Sequence, residues 1–449
     1  MPGVQEVEIR DVDLRDEALA LTRDLIRVDT SNPPGRETPA AVLLREYLEA
    51  NGVPCELIAR DPDRANLVAR LRGTGDGPSL ALLGHTDVVP ADARDWTHPP
   101  FGAHVDDEGW LWGRGAVDMK NETATRAVTM AVLARSGFRP RGDLLFIAES
   151  DEEDGIDEVG LNWLVKERPD VRADYALNEG GGVRMELADG RVAIPINVGE
   201  KATLPVRVTA LGEAGHASMP AMNRNAVPLV AELVGRLARH RTPHVLIPEV
   251  RAMLETLAGP FADDEIDDAL ARATALLPTF SYTLPPRLGI TIAPTRLGAS
   301  DALNVMPGRA SVDCDCRLLP GMGHAELEAE LRAALGDDIP YELEWLDELT
   351  GGTISPVDTP LTAACQGFFD RHDPGAVLLP EISTGFTDSH YMREAFGTAA
   401  YGIWPIRATP TEVYEHGFHN ADERLHVDDL AYAVRFHLEV AREIGALGR

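Results

Sequence analysis

Residues 144–155 read LLFIAESDEEDG, an apolar run that passes without interruption into a cluster of acidic residues. A run without polar alternation is typical of a strand that is buried on both faces of a sheet. Similar runs occur in LALLG from Leu80, YALN from Tyr175 and TAAYGIW from Thr398, with helical periodicity in segments between them. This spacing predicts an α/β fold whose central sheet is mostly parallel.

A second pattern begins near Leu204, where LPVRVTALG alternates apolar and polar residues, as in a sheet with one covered face. It is followed by a helical segment, an irregular stretch rich in proline and acidic residues, two strand-like segments, a second helix and YELEWLD at 341–347. This order of strand, helix, strand, strand, helix, strand is typical of a ferredoxin-like α+β domain. We therefore predict a domain over residues 199–348, inserted between the two parts of a larger domain, 1–198 and 349–449.

The composition is that of a globular chain with more than one domain. Its 449 residues exceed one ordinary core, and 44% of them are hydrophobic. Lys and Arg total 42 against 73 Asp and Glu, and the formal net charge of -31 opposes binding to nucleic acid or anionic membranes. The N-terminal MPGVQEVEIRDVDLRDE lacks the pattern of a secretory signal, and no segment approaches about 18 continuous apolar residues. We expect a cytoplasmic protein without a membrane span.

The cysteines agree with a reducing compartment. Cys55, Cys314, Cys316 and Cys365 are too few and too scattered for a disulfide framework. Cys314 and Cys316 could bind a metal, but the alternation of their strand places both on the core face. Buried thiols are therefore the favoured interpretation.

Candidate functional side chains follow the predicted parallel strands at the points where these strands end. LALLG leads into His85 and Asp87, LLFIA leads into the acidic stretch, and YALN leads into Glu179. Asp118 lies at a helix start in GRGAVDMK, and His419 lies in HGFHNADER. Because ligands gather beyond the carboxyl ends of parallel strands, we expect the strand-end residues at one edge of the sheet.

Each residue has a simpler explanation when it is taken alone. A histidine after a strand is usually a hydrogen-bonded core residue, an aspartate at a helix start is usually a cap, and the acidic stretch could be a solvated loop. Taken together, converging carboxylates in a partly buried pocket repel one another, and a divalent cation would resolve that conflict. Histidine and carboxylate ligands suit zinc, and Asp87 could hold the second ring nitrogen of His85.

Seven segments carry a resemblance to a known family: HTDVVPAD, GRGAVDMK, ESDEEDG, LNEGG, GHASMP, NVMPGRASVDCDCR and HNADER. In sequence and order they resemble the M20 metallopeptidases and amidohydrolases, which include aminoacylases, acetylornithine deacetylase and succinyl-diaminopimelate desuccinylase. The resemblance covers nearly the whole chain. It implies a zinc-peptidase-like catalytic domain with an inserted lid domain that is used for dimerisation.

The resemblance also implies a site for two divalent metal ions, with zinc expected and cobalt or manganese as alternatives. His85 and Glu179 would hold one ion, Glu153 and His419 would hold the other, and Asp118 would be shared. Such a centre would activate water near neutral pH and polarise a carbonyl group.

Glu152 is implied as the general base and Asp87 as the outer partner of His85. Neighbouring side chains in an extended segment point in opposite directions, so Glu152 and Glu153 are expected to face different ways. A base of this kind contributes about 10²- to 10⁴-fold in rate.

Further positions implied by the resemblance concern the substrate. His216 would stabilise the oxyanion in a neighbouring subunit's active site, and Arg317 would bind a substrate carboxylate beside Asn304. Thr387 and Asp388 are implied in substrate binding. The alternatives are a surface histidine for His216, a salt bridge for Arg317 and a turn cap for Asn304.

Two departures from the family pattern concern the substrate pocket rather than the metal ligands. Many members have two glycines where this chain has Asn121 and Glu122, and Phe386 lies within a loop that is Gly-Gly-Thr-Asp-like in many members.

We predict a metal-dependent hydrolase that cleaves an amide bond in a small peptide or an N-acyl amino acid, and that acts as a homodimer. A narrow biosynthetic deacylase, for acetylornithine or succinyl-diaminopimelate, is an alternative. A non-catalytic metal-binding or ligand-binding protein of the same fold is a third reading, which expects a lost base or ligand, and none is missing.

Overall fold

The computed structural model describes residues 10–155 and 157–448 of the chain, which form two compact units. The first unit comprises the described parts of Met1–Val198 and Thr387–Arg449 with Ser355–Pro380, and the second comprises Gly199–Ile354 and Glu381–Phe386. The N-terminal stretch without a secretory pattern lies largely outside the described residues. Among the described residues, no helix is both long and apolar enough to cross a membrane.

Several helices begin at residues whose side chains cap free backbone amides. Asn225 accepts the N–H of Val227, and Thr359 accepts the N–H of Thr362. The α-helices are α1 (Asp11–Ile26), α2 (Thr38–Ala50), α3 (Lys120–Arg135), α4 (Leu161–Glu167), α5 (Ala226–Arg239), α6 (Pro248–Ala258), α7 (Ile266–Leu276), α8 (Phe280–Thr283), α9 (His324–Leu335), α10 (Pro360–His372), α11 (Ser389–Phe396), α12 (Thr411–Gly417) and α13 (Asp428–Ala446).

The strands vary in length and in burial. They are β1 (Cys55–Ile58), β2 (Asn66–Leu71), β3 (Leu80–His85), β4 (His104–Val105), β5 (Trp110–Trp112), β6 (Leu144–Glu149), β7 (Tyr175–Asn178), β8 (Met185–Glu186), β9 (Val192–Glu200), β10 (Ala202–Thr203), β11 (Val206–Leu211), β12 (Gly215–His216), β13 (Thr291–Gly298), β14 (Val305–Met306), β15 (Arg309–Leu318), β16 (Tyr341–Trp345), β17 (Ala376–Ser383), β18 (Ala399–Gly402) and β19 (Arg424–His426). Every residue of β3 and β6 is buried, as their unbroken apolar runs predicted.

The largest sheet has the order β1-β2-β6-β3-β7-β18-β9-β17, with β8 paired to β9. Its central strands β6, β3, β7 and β18 pair in parallel. Antiparallel pairs flank them, β1 with β2, β2 with β6 and β9 with β18. The α/β class is confirmed, but the sheet is mixed, because antiparallel pairs flank the four parallel strands formed by the apolar runs.

Helix α3 packs so closely on β3 that it shapes the strand end. Its residues are buried from Lys120 to Leu133, which explains why its sequence shows no single apolar stripe. A Cβ atom at Gly84 would lie 2.6 Å from Thr123 Oγ1, so only glycine fits this contact. Thr123 Oγ1 in turn donates to the carbonyl of His85 at 2.9 Å. The helix therefore holds the strand end at the point where the candidate site begins.

The sheet of the second unit has the order β10-β15-β11-β16, with β13 paired to β15. These pairs are antiparallel, and β11, α5, β13, β15, α9 and β16 follow one another in the predicted ferredoxin-like order. Cys314 and Cys316 are buried, which confirms that both face the core. Their burial raises the pKa of both thiols.

Three helices, α6 to α8, lie between α5 and β13, where the sequence predicted an irregular stretch rich in proline and acid. That prediction was wrong. Pro248 stands at the first position of α6, where its missing N–H costs nothing. Asp267 and Asp268 lie in the first turn of α7, where acids are favourable. Proline and aspartate in this stretch therefore stand at helix starts and do not break the structure.

Candidate metal centre and active site

Asp118 lies between two histidines. Its Oδ1 is 3.2 Å from His85 Nε2, and its Oδ2 is 3.3 Å from His419 Nε2. His85 is buried at the end of β3, whereas the His419 side chain is 59% exposed. Because each carboxylate oxygen faces a different imidazole, Asp118 has the placement that a ligand shared by two metal ions needs.

Further carboxylates lie on both sides of Asp118. Glu179 Oε2 is 3.7 Å from His85 Nε2, and Glu152 Oε2 is 4.0 Å from the same nitrogen. Glu153 Oε2 is 3.0 Å from His419 Nε2. The structure therefore brings together every residue that the sequence assigned to the metal ions and the base.

Two overlapping groups of these side chains offer ligand atoms within 4.8 Å of one another. One group is His85, Glu152 and Glu179, and the other is His85, Asp118 and Glu153. Imidazole nitrogen with carboxylate oxygen and no thiolate is a donor set that fits zinc, cobalt or manganese. Glu152 belongs to the first group, so distances alone do not distinguish a general base from a ligand.

The electrostatics of the site point the same way. Burial raises the pKa of Glu152 well above its usual range, and the Glu179 carboxylate raises it further. Hydrogen bonds to Asp118 and Glu153 raise the pKa of His419 to about 10. The common cause is a crowd of carboxylates with too little positive charge among them, which a divalent cation would relieve.

Asp87 holds the backbone of the acidic stretch by hydrogen bonds. Its carboxylate is buried and accepts the backbone N–H of Glu152 at 3.3 Å and of Glu153 at 3.0 Å, and it also accepts Asn32 Nδ2 at 2.9 Å. Residues 152–154 therefore form a turn, and the expectation of an extended segment was wrong. The side chains of Glu152 and Glu153 nevertheless approach different histidines.

The second ring nitrogen of His85 has a different nearest partner from the one expected. His85 Nδ1 is 3.0 Å from the main-chain carbonyl oxygen of Asp87 and 3.5 Å from its carboxylate. The carboxylate is already occupied by backbone amides and by Asn32. A proton on Nδ1 leaves Nε2 free to face Asp118, as a metal ligand requires.

Glu423, to which no role was assigned from the sequence, supports Asp118. This fully buried carboxylate accepts the N–H groups of Val117 at 2.6 Å, Asp118 at 3.0 Å and Gly115 at 3.1 Å. Arg114 donates to it at 2.7 Å. Glu423 thereby fixes the loop that carries Asp118. Its place in HNADER, four residues after His419, was the available signal.

The other acids of ESDEEDG divide by burial. Glu149 is buried and accepts the N–H of Gly84 at 3.2 Å. Asp151 is buried and pairs with Arg64 at 3.1 Å. Asp154 is exposed. The interpretation of a solvated loop therefore suits only Asp154.

Thr387 and Asp388, expected to bind substrate, are buried within the first unit. Asn178 Nδ2, at the end of β7, donates to Thr387 Oγ1 at 3.0 Å. Burial raises the pKa of Asp388 well above its usual range, and the Glu149 carboxylate adds to that rise. The Asn178 contact indicates that Thr387 supports the strand end that precedes Glu179.

The second unit carries His216 and Asn304 on its surface. His216 pairs with Val305, and the N–H of Ala217 donates to the Asn304 carbonyl at 3.1 Å. Ser218 N donates to His216 Nδ1 at 3.2 Å. The proton of the neutral ring therefore lies on Nε2, which makes this atom a hydrogen-bond donor.

Arg317 already has partners within the second unit. Its Nε and Nη2 donate to the Asp315 carboxylate at 2.8 and 3.0 Å, and its Nη1 donates to Thr203 Oγ1 at 2.8 Å. The salt bridge that the sequence left open as an alternative is therefore present. A guanidinium has five N–H donors, so each terminal nitrogen keeps one for another acceptor.

The sequence matches the family model described as Peptidase family M20/M25/M40 over residues 81–443. Aminoacylase-1 of Mus musculus is 28% identical over 421 residues, which cover 92% of this chain and 91% of that protein. Succinyl-diaminopimelate desuccinylase of Cereibacter sphaeroides is 34% identical over 226 residues, which cover 49% of this chain and 56% of that protein.

Solved structures share the fold. An M20 family metallo-carboxypeptidase from Sulfolobus solfataricus aligns with a TM-score of 0.72 and 18% identity, over 96% of this chain and 100% of that one. A dinuclear metal binding peptidase from the M20 family of Bacillus subtilis aligns with a TM-score of 0.62 and 15% identity, over 96% of this chain and 98% of that one.

Proposed function

The chain belongs to peptidase family M20/M25/M40, whose members are hydrolytic enzymes, and from this premise we propose that it cleaves an amide bond with two divalent metal ions. The observation that carries the proposal is the Asp118 carboxylate, whose oxygens lie 3.2 Å from His85 and 3.3 Å from His419. The same geometry at a purely structural site would bury repelling carboxylates without a benefit.

The proposed ligands are His85, Asp118 and Glu179 for one ion and Asp118, Glu153 and His419 for the other. We propose zinc, with cobalt and manganese as alternatives of the same ligand preference. When bound, such ions polarise the scissile carbonyl and lower the pKa of the attacking water.

Glu152 is the proposed general base. It lies on the turn that Asp87 fixes, on the His85 side of the site, and it is largely buried. From that position it accepts a proton from the attacking water and returns it to the departing nitrogen. Asp87 contributes by orienting His85 and by holding the backbone of the turn.

The proposed substrate is an N-acyl amino acid or a small peptide with a free carboxylate. The named relatives act on acylated amino acids, and the M20 structures are peptidases. The remaining N–H groups of Arg317 are suited to a carboxylate, and we propose that Asn304 also binds the substrate. His216 Nε2 is suited to donate to the oxyanion.

We also propose that the second unit acts as a lid and dimerisation domain, and that His216 serves the active site of a partner protomer. The four cysteines are free, which supports a reducing, cytoplasmic location. The net charge of -31 supports a small-molecule substrate over nucleic acid or membrane partners.

The test is a panel of dipeptides and N-acyl amino acids, assayed with added zinc, cobalt or manganese, for the wild type and Glu152→Gln. We expect turnover in the wild type and a loss of about 10²- to 10⁴-fold in the variant, with metal content unchanged. A variant that keeps most of its activity would contradict the proposed base. Activity that survives verified removal of all metal would contradict the proposed cofactor.

A narrow deacylase is the second candidate, and the identity of 34% to a succinyl-diaminopimelate desuccinylase favours it. Including N-succinyl-diaminopimelate and N-acetylornithine in the same panel separates the two. A preference for one of these compounds by about 100-fold in kcat/KM over all dipeptides would support the deacylase.

A further inference from the structure

Strand β3 ends at His85, and β7 ends one residue before Glu179. The two strands stop pairing with each other before these residues. In the described chain, β3 pairs with β7 at Leu80–Tyr175, Ala81–Ala176 and Leu82–Leu177. Each strand continues on its other side, since β3 pairs with β6 up to His85 and β7 pairs with β18 up to Asn178. The two strand ends therefore reach the candidate site without a shared ladder of hydrogen bonds.

Arg126 of helix α3 links the two strands at the level where they no longer pair with each other. Its Nη1 donates to the Leu83 carbonyl of β3 at 2.6 Å, and its Nη2 donates to the Asn178 carbonyl of β7 at 2.9 Å. Leu83 precedes His85 by two residues, and Asn178 precedes Glu179 by one. A planar guanidinium holds its nitrogens at a fixed distance, so it also fixes the distance between the two carbonyl groups.

Glu122 completes the arrangement. Arg126 Nη2 donates to Glu122 Oε2 at 2.8 Å, and the side chains of the pair are 0% and 2% exposed. A buried guanidinium without a carboxylate partner is costly, so Glu122 allows the cation to remain in the interior.

We propose that Arg126, held by Glu122, is a positioning residue that sets the separation of His85 and Glu179 and thereby the affinity for the metal ion between them. The inference rests on the proposed function. Arg126 acts through the main chain of both strands and does not itself bind metal. A guanidinium that only stabilised the fold would not need to donate to both ligand-bearing strands.

The main test compares the wild type with Arg126→Met/Glu122→Met, which removes both buried charges, and with Arg126→Lys. Zinc or cobalt alone is titrated into metal-free protein by calorimetry. We expect two binding steps in the wild type. The double variant should lose about 10- to 100-fold in affinity in one step, the usual cost of losing support for a metal ligand. Lysine carries one ammonium group and cannot span both carbonyls. Arg126→Lys should therefore lose nearly as much affinity in that step as the double variant does.

Hydrogen exchange of the metal-free proteins gives a readout that does not depend on activity. We expect faster exchange in the double variant at the ends of β3 and β7 and unchanged exchange along β6. Thermal unfolding shows which variants are folded. If the double variant does not fold, the same titration and exchange of Arg126→Lys decide the inference.

Arg70→Met is the matched control. Arg70 lies in the same sheet, but its partner Asp143, at 2.9 Å, precedes β6 at the other end of the strands. This variant should unfold at a lower temperature with both metal-binding steps intact. Folded Arg126 variants with wild-type affinity in both steps would overturn the inference and leave the proposed function standing. A wild type that binds no divalent ion would overturn both.

Discussion

The two histidines of the candidate metal centre lie in very different surroundings. His85 is buried at the end of a central strand, where Thr123 holds its carbonyl and Asp87 holds its ring. His419 is 59% exposed and has a positive φ of 58°, in an irregular segment after α12. We call the His85 side, with Glu179, the inner half and the His419 side, with Glu153, the outer half. The comparison predicts a rigid, tightly binding inner half and an outer half that exchanges its ion more readily.

The largest effect is expected where the halves meet. Asp118→Asn removes the carboxylate that faces both histidines, so both halves should lose affinity and activity should fall by more than about 10⁴-fold, beyond the loss of a base alone. Metal content and kcat/KM check this result. A variant that keeps one full equivalent of metal would show that the halves do not depend on a shared ligand.

A difference in stability should follow for the histidines themselves. In metal-free protein, His85→Ala leaves buried carboxylates without a partner and should cost about 3 to 5 kcal/mol in free energy of unfolding. His419→Ala should cost less, about 1.5 to 3 kcal/mol, because its ring is 59% exposed although its partners Asp118 and Glu153 are nearly buried. Urea unfolding in the presence of a chelator measures both. Equal losses would remove the distinction between the halves.

Stepwise removal of metal should show that the outer half binds its ion more weakly than the inner half. During titration with a chelator, one equivalent of metal should leave at a chelator concentration about 10-fold below that needed for the second, a separation of about 1.4 kcal/mol. His419→Ala should lack the early phase, whereas Glu152→Gln, the matched acidic variant, should keep both phases. Simultaneous loss of both ions from the wild type would contradict the comparison.

The smallest effect is expected for Asp154, an exposed acidic residue next to the outer half. Asp154 follows Glu153 directly and is exposed, and no role in metal binding is proposed for it. Asp154→Asn should leave activity within about 2-fold and stability within about 0.5 kcal/mol. A large loss of bound metal in this variant would extend the outer half beyond Glu153 and His419.

Much of the inner half was predictable because its signals are local. Unbroken apolar runs marked β3, β6 and β7, and the residues directly after them could be placed at one edge of the sheet. The ligand assignments came from the resemblance, and the structure brings those residues together. The flanking strands β2 and β9 were not predicted, although they are largely buried, because polar residues or proline interrupt the apolar residues in NLVARL and VAIPINVGE.

The supporting residues were not predictable in the same way. Arg126 and Glu423 act on backbone carbonyls and amides, which look alike at every position of a sequence. Arg126 joins strands that lie 43 and 52 residues away, and no periodicity encodes such a contact. Helices α6 to α8 were missed for a different reason, because proline and aspartate were read as breakers although they begin helices.

Glu423 lies late in the chain, so the loop that carries Asp118 cannot be fixed early in synthesis. It accepts the amide of Asp118 across 305 residues of chain, and His419 lies in the same late segment. Domains fold as units during synthesis, from the N-terminus onward. A ribosome-bound chain that ends before Glu423 therefore lacks the carboxylate that accepts the amides of the Asp118 loop. The Asp118 loop and both halves of the candidate centre are therefore complete only once the late segment with Glu423 and His419 has been synthesised.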